Sequence, residues 1–407
     1  MKQKGITLVE LLVAMTIGLG ITLAISSVLI ASENHKRTTT STNDAQQTGS
    51  YGYYALDKAL RGAGSAIAGS AFPTDVGVLG CHLNVGNGGT VIFPRTVAFP
   101  TPFAGFLAGV TNTLRVAPVL IGAGQSQDGV SDVIMIMSGS GAAGGVSRQI
   151  TGGGNAITAT LDNTVGFTNG GPELGWDLVL VSQSGVADCL MEQINALAPP
   201  TLNLAGVYYT PSGGGTSMAT LAGSTSTYVT PLGNARANNI QFTLFGLDNN
   251  RTLYSYDLLQ SLTLVSGASD SAQAMADGVV QMNALYGLDT DGDGIQDTWA
   301  APGGLDPTWD INTVMTTPAK LKQIVSVRVA LVVRGQYYDL NGGTAAAPKP
   351  VSPAQLTIFN GLKNGLNGSG VSLNKSIALN ATDRQFRYRV FEFTVPLRNM
   401  LLLAGAP

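Results

Sequence analysis

The sequence predicts an α+β protein: one long N-terminal helix, apolar in its first half, followed by a large β-rich globular head. Three observations carry this. Ile6–Ile30 is an apolar run of 25 residues in which Glu10 is the only charge, and about 20 such residues span a bilayer as a helix. Glu33–Arg61 is polar and free of proline, so nothing in it breaks a helix that continues from the apolar part. From Gly64 onward, short β-branched and aromatic runs alternate with Gly, Ser, Thr and Asn, the pattern of strands cut by turns.

The N-terminal element comes first. Lys2 and Lys4 make a basic head that stops at Gly5. A carboxylate inside a membrane costs roughly 2.5–3.5 kcal/mol on insertion scales, so Glu10 reads as a functional residue that needs a partner. A secretory signal would have a shorter apolar core with a small-residue cleavage site beyond it, and no Ala-x-Ala site closes this run. A plain transmembrane anchor fits the length but leaves Glu10 unexplained. Lys36 and Arg37 balance Lys2 and Lys4, so the excess of basic residues gives no orientation. Beyond the membrane-length part (6–31), the helix is expected to continue over 32–62. Ala45, Tyr51, Ala55, Leu56, Ala59 and Leu60 would turn one face toward a sheet, and the helix would end at Gly62-Ala63-Gly64. Gly18 and Gly20 each weaken a helix by about 1 kcal/mol relative to alanine, for close helix packing or as a soft spot.

The head, 63–407, is long enough for one large or two fused β-rich lobes. Strands are expected at Asp132–Met137, Trp176–Val181, Leu204–Tyr209, Ile240–Gly246, Leu253–Leu258, Ile324–Arg334 and Phe386–Val395. Gly139–Gly154 and Pro211–Ser226 read as exposed low-complexity loops. Only 12% of residues are charged and the net charge is −3, which argues against a nucleic-acid binder with its basic footprint.

The segment Lys2-Gln3-Lys4-Gly5-Ile6-Thr7-Leu8-Val9-Glu10 resembles a class III signal, the type IV prepilin leader. By that resemblance a prepilin peptidase cuts between Gly5 and Ile6, the new N-terminus is methylated, and Glu10 pairs with a subunit amine during filament assembly. The family usually has phenylalanine where Ile6 stands. Further motifs, Gly175–Val181, Tyr286–Gly294, Val325–Arg334 and Val390–Asn399, occur in the order found in the PilW family of type IV pilus minor pilins, whereas about 85–170 carries little of that signal and is expected as a Gly-rich insert. The resemblance implies a minor pilin that helps prime pilus assembly or sits near the tip. Its partners would be other minor pilins, the major pilin, the inner-membrane assembly machinery and a tip adhesin. It implies an inner-membrane location with the head in the periplasm, and then the pilus fibre. A type II secretion pseudopilin and a membrane-anchored adhesive protein are the alternatives.

Asp289, Asp291, Asp293 and Asp297, with Gly294 at the turn, are spaced like the acidic loops of EF-hands and thrombospondin type 3 repeats. Hard oxygen ligands at alternating positions, with a backbone carbonyl near Ile295, suit calcium. Ala300 stands where an EF-hand has its bidentate glutamate, so Asp306, Asp310 or water would complete the set. The competing reading is that Asp-Gly pairs simply form a hairpin turn. Thr252–Ala319 holds nine Asp and no Lys or Arg, so no cation near in sequence offsets these carboxylates. Cys81 and Cys189 are the only cysteines, and in an exported chain a pair reads as a disulfide rather than a metal or catalytic site. A Cys81/His82 nucleophile pair fails because adjacent side chains of an extended segment point apart. Gly139–Gly144 matches G-x-G-x-x-G, yet no amphipathic helix follows it. With no catalytic constellation to rest on, an enzyme reading has no residues.

Overall fold

A computed structural model describes residues 7–68, 78–95, 97–108, 114–140, 145–168, 177–211, 216–234, 240–259, 272–304, 306–339, 349–365 and 369–404. The long helix is a single element, Leu8–Gly62, of 55 residues. It ends where the glycines are placed: Gly64 takes φ +78°, a left-handed conformation that glycine adopts at no steric cost. The amide of Asn399 donates to the carbonyls of Gly62 and Ala63 at 3.4 and 2.9 Å, which satisfies acceptors that a helix end leaves open.

The chain divides into two compact units, 48–333 with 357–377 and 390–407, and 1–47 with 334–356 and 378–389. The larger unit is built on β-sheets. One has seven strands, in the order Tyr208–Tyr209, His82–Asn87, Asp188–Gln193, Asp177–Gln183, Thr227–Asn234, Arg148–Gln149, with Thr90–Phe93 also paired to His82–Asn87. The pairing of His82–Asn87 with Asp188–Gln193 is parallel. A five-stranded antiparallel sheet runs Gln273–Asp277, Thr252–Asp257, Gln241–Leu247, Val133–Ser138, Val119–Gly122. A four-stranded sheet orders Thr298–Ala300, Val279–Leu288, Ile324–Arg334 and Tyr388–Pro396. Small sheets of three strands (158–160, 201–203, 196–198) and two (355–358, 375–378) complete the described strands.

Two devices join these layers. The buried carboxylate of Asp132 accepts from the amides of Gly124 (3.0 Å) and Ala284 (2.8 Å), tying the five-stranded sheet to Val279–Leu288. Burial pushes its pKa up. The second is close approach of the helix to strands at glycines: a Cβ on Gly49 would lie 1.9 Å from the Phe391 ring, and one on Gly52 3.3 Å from Leu331. Tyr53 packs edge-on against Phe393, with centroids 4.6 Å apart.

The expected helix face is present at Leu56, Ala59 and Leu60, which are buried, but Tyr51 is 52% exposed and does not belong to it. Gly49 and Gly52, which a hydrophobic-pattern reading passes over, take that place. Ile324–Arg334 has its expected bounds, and the strands expected at 132–137, 240–246, 253–258 and 386–395 appear within two residues of theirs. Leu204–Tyr209 shortens to Tyr208–Tyr209, because Leu204 and Gly206 bond instead to Ile157 and Gln193. Strands also occur within 85–170, expected as a Gly-rich insert, and Met218–Ala222, expected as loop, is a short helix capped by Ser217. Trp176, at the start of one expected strand, lies outside the described residues, and the strand there is Asp177–Gln183.

Candidate functional site

At the N-terminal end, Thr7 precedes the first helical residue and Glu10 sits in the first turn. The Glu10 carboxylate accepts from the Thr7 amide at 3.2 Å and hydroxyl at 3.1 Å, and the Glu10 amide donates to the Thr7 hydroxyl at 3.3 Å. This reciprocal pair is a capping box, in which two amides with no helical partner are satisfied by each other's side chains. It also favours the acid through the positive end of the helix dipole. Glu10 therefore has a local structural role that the sequence reading missed, although Thr-x-x-Glu before an apolar run is a visible signal for it. Gly5 and Ile6, the expected cleavage site, lie outside the described residues. The apolar helix that follows is bare: Leu8, Val9, Leu11, Leu12, Val13, Met15 and the large residues on to Ile30 are each at least half exposed. A helix apolar on all sides needs lipid or other helices around it.

The Asp loop connects Val279–Leu288 to Thr298–Ala300, paired with Gly287 opposite Trp299, so it is the loop of a hairpin. Gly292 and Gly294 both take φ +84°. Asp289, 3% exposed, accepts from the amides of Gly292 (2.7 Å) and Gly294 (2.8 Å). Asp297 accepts from the amide and hydroxyl of Thr290 at 2.7 and 2.6 Å, and the hydroxyl bond above all holds its carboxyl below the usual range. Asp289, Asp291 and Asp297 each bring one oxygen within 4.8 Å of the others. Two ligands on opposite sides of a calcium ion at about 2.3–2.6 Å are about 5 Å apart, so this spacing fits one ion.

Asp293 is not in that group; its carboxylate accepts from the Ile295 amide at 2.7 Å. Asp306 and Asp310, offered as completing ligands, are engaged as helix caps, accepting from Thr308 (3.2 Å) and Thr313 (2.7 Å). The remaining coordination would come from solvent.

Cys81 and Cys189 are joined in a disulfide with Cα atoms 5.6 Å apart, at the start of two adjacent parallel strands where Leu83 opposes Cys189. His82 contacts Asp188, Nδ1 to Oδ1 3.4 Å, and burial, with Arg115 nearby, lowers its pKa. Asp188 also accepts from the Thr216 hydroxyl at 2.9 Å. In the G-x-G-x-x-G segment, 141–144 lie outside the described residues. Sequence reasoning also passed over Arg328 and Glu392, which pair across neighbouring strands at 2.9 Å. Glu392 further accepts from the Phe359 amide at 2.9 Å.

Two family models match the chain. The Prokaryotic N-terminal methylation motif covers residues 1–19, and the Type IV Pilus-assembly protein W model covers 245–399. The chain thus carries a class III prepilin leader and, over less than half its length, a PilW-like region, which together support a type IV pilus-related pilin. The PilW-like region contains the Asp loop, Arg328 and Glu392, and three of the four motif segments, while Gly175–Val181 falls outside it. Neither a curated protein nor a solved structure matches the chain.

Proposed function

We propose that this protein is a minor pilin that primes type IV pilus assembly and sits near the pilus tip. Before assembly the exposed apolar helix lies in the inner membrane with the head in the periplasm. After cleavage at Gly5/Ile6 by a prepilin peptidase it joins the helical core of the fibre. The observation that carries this is the join of a leader, a capped and bare apolar helix with its single acid at Glu10, and a PilW-like region in one chain. Its partners on this reading are other minor pilins, the major pilin, the inner-membrane assembly machinery and a tip adhesin, and its role is structural rather than catalytic. Sheared fibres from cells making a tagged chain should contain the processed protein in trace amounts beside the major pilin. A fibre yield unchanged by deletion of the chain, with the tag absent from sheared fibres, would overturn the reading.

We infer in addition that the Asp289–Asp297 loop binds one calcium ion. Asp289, Asp291 and Asp297 are the carboxylate ligands on this reading, and the ion would offset three negative charges that have no base close in sequence. Binding to the folded state alone raises stability by mass action, so calcium should raise the melting temperature of the wild type and not of Asp291→Ala. An equal rise in both would leave the loop as a hairpin turn only.

A further inference from the structure

We propose that the smaller unit is a collar that binds the anionic phospholipid headgroups where the helix leaves the membrane; this rests on the membrane-anchored reading above. The unit places Tyr337–Asp339, Val351–Leu356 and Arg387–Arg389 beside helix residues 37–45. In sequence, five Arg and Lys residues against Asp339 and Asp383 give the unit's segments 334–356 and 378–389 a net charge of +3, in a chain whose total is −3. These segments are therefore net positive in a net negative chain, and on the membrane-anchored reading they lie close to the membrane. Arg37 lies seven residues past Ile30, about 10 Å along a helix rising 1.5 Å per residue. The headgroup layer on each side of the hydrocarbon is itself several Å deep. Helical side chains lean toward the N-terminus, so Arg37 reaches back toward the lipid, as its contact with Glu33 one turn earlier shows (3.3 Å).

The surface there has the composition of a membrane interface. Tyr337 and Tyr338 are 43% and 41% exposed, and tyrosine is favoured at headgroup depth, where one end of the ring is apolar and the other wet. Arg37, Thr38, Ser41, both tyrosines, Asp339 and Arg387 border a notch of about 40 Å3, larger than the roughly 10–15 Å3 one water needs; Arg387 is paired there with Asp339 at 2.8 Å, so Arg37 is the cation open to an entering anion. Ser41 is 2% exposed and its hydroxyl has no hydrogen-bond partner, so it can donate to an oxygen that enters. The Arg37–Glu33 pair is exposed on both sides and exposed pairs are weak, which leaves the guanidinium available to a phosphate. Basic residues close to an anionic membrane surface are drawn to it, and salt screens that attraction.

The test is hydrogen exchange on the full-length protein in nanodiscs of phosphatidylcholine alone and with one third phosphatidylglycerol. Amides of Gly335–Asp339 and Arg384–Arg389 should exchange at least threefold more slowly in the anionic discs. High salt and the double variant Lys36→Gln, Arg37→Gln, both at exposed helix positions, should each abolish the difference. Insertion into both discs with equal exchange would overturn the collar alone, whereas failure to enter either disc would overturn the membrane reading as well. Equal protection in neutral discs by added inorganic phosphate would also overturn it, by making the site one for a free anion.

Discussion

Glu10 caps the helix and is proposed to pair with a subunit amine, and substitutions separate the two roles. Its carboxylate takes two bonds from Thr7, at 3.2 and 3.1 Å, and its amide returns one at 3.3 Å. A glutamine amide oxygen accepts the same bonds, since Gln serves as well as Glu in a capping box. Glu10→Gln therefore keeps the cap and removes the charge, while Glu10→Ala removes both. Loss of a helix cap costs about 0.5–2 kcal/mol. Removing one partner of a buried ion pair costs about 3–5 kcal/mol, and every 1.4 kcal/mol is tenfold in an equilibrium. If the acid pairs with the amine at Ile6 during assembly, Glu10→Gln should lower incorporation by two or more orders of magnitude, and Glu10→Ala should add at most about one more. Both variants should insert and be cleaved, because a neutral side chain is easier to bury than a charge. The assay compares processed protein in membranes with protein in sheared fibres by quantitative immunoblot. Wild-type incorporation of Glu10→Gln beside a defect in Glu10→Ala would refute the pairing and leave Glu10 as a cap.

Gly49→Ala raises intrinsic helix propensity but puts a methyl into the Phe391 ring, so it should lower stability by about 1–3 kcal/mol, in part restored by Phe391→Leu; an increase in the urea midpoint would contradict the close packing. Reducing the Cys81–Cys189 bond opens a loop with a sequence separation of 108, and the chain-entropy model gives up to about 4.7 kcal/mol for such a loop; the Cys81→Ala, Cys189→Ala variant should melt well below the oxidised wild type, and equal melting would show that the bond adds nothing. Burial pushes Glu192, which accepts from the Thr210 amide at 3.0 Å, up to about 7. Between the unfolded value and about 7 the folded state holds the extra proton, so this group's contribution is full at low pH and is lost as pH rises through that window. Glu192→Gln should flatten the fall in melting temperature between about pH 5 and pH 8, and an unchanged slope would show that Glu192 does not titrate there.

The sequence was most legible where structure is local. The 3.6-residue element, its glycine stop and the turn-forming spacing of the Asp loop all follow from near neighbours in the chain. What decides the rest is non-local. Val279–Leu288 lies between Ile324–Arg334 and the short strand 298–300, and its continuous burial gives no alternation to read. Asp293 and Asp291 look equivalent in sequence, and each accepts from the amide two residues on, yet only Asp291 converges with Asp289 and Asp297. Glycine on a helix reads as a weakness until the partner is known; Gly49 is where a strand residue 342 positions later meets the helix. Likewise Ser41 and Gly335 meet so closely that a Cβ on Gly335 would lie 2.0 Å from the Ser41 hydroxyl, a contact no local pattern announces.

The most direct test of the central claim is the intact mass and N-terminal sequence of the protein recovered from fibres. A pilin processed as proposed begins at Ile6, carries one methyl group on its α-amine and lacks Met1–Gly5. Protein from fibres that still begins at Met1, or that is cut beyond Ile30, would contradict the claim that this chain is a prepilin whose Glu10 faces a subunit amine.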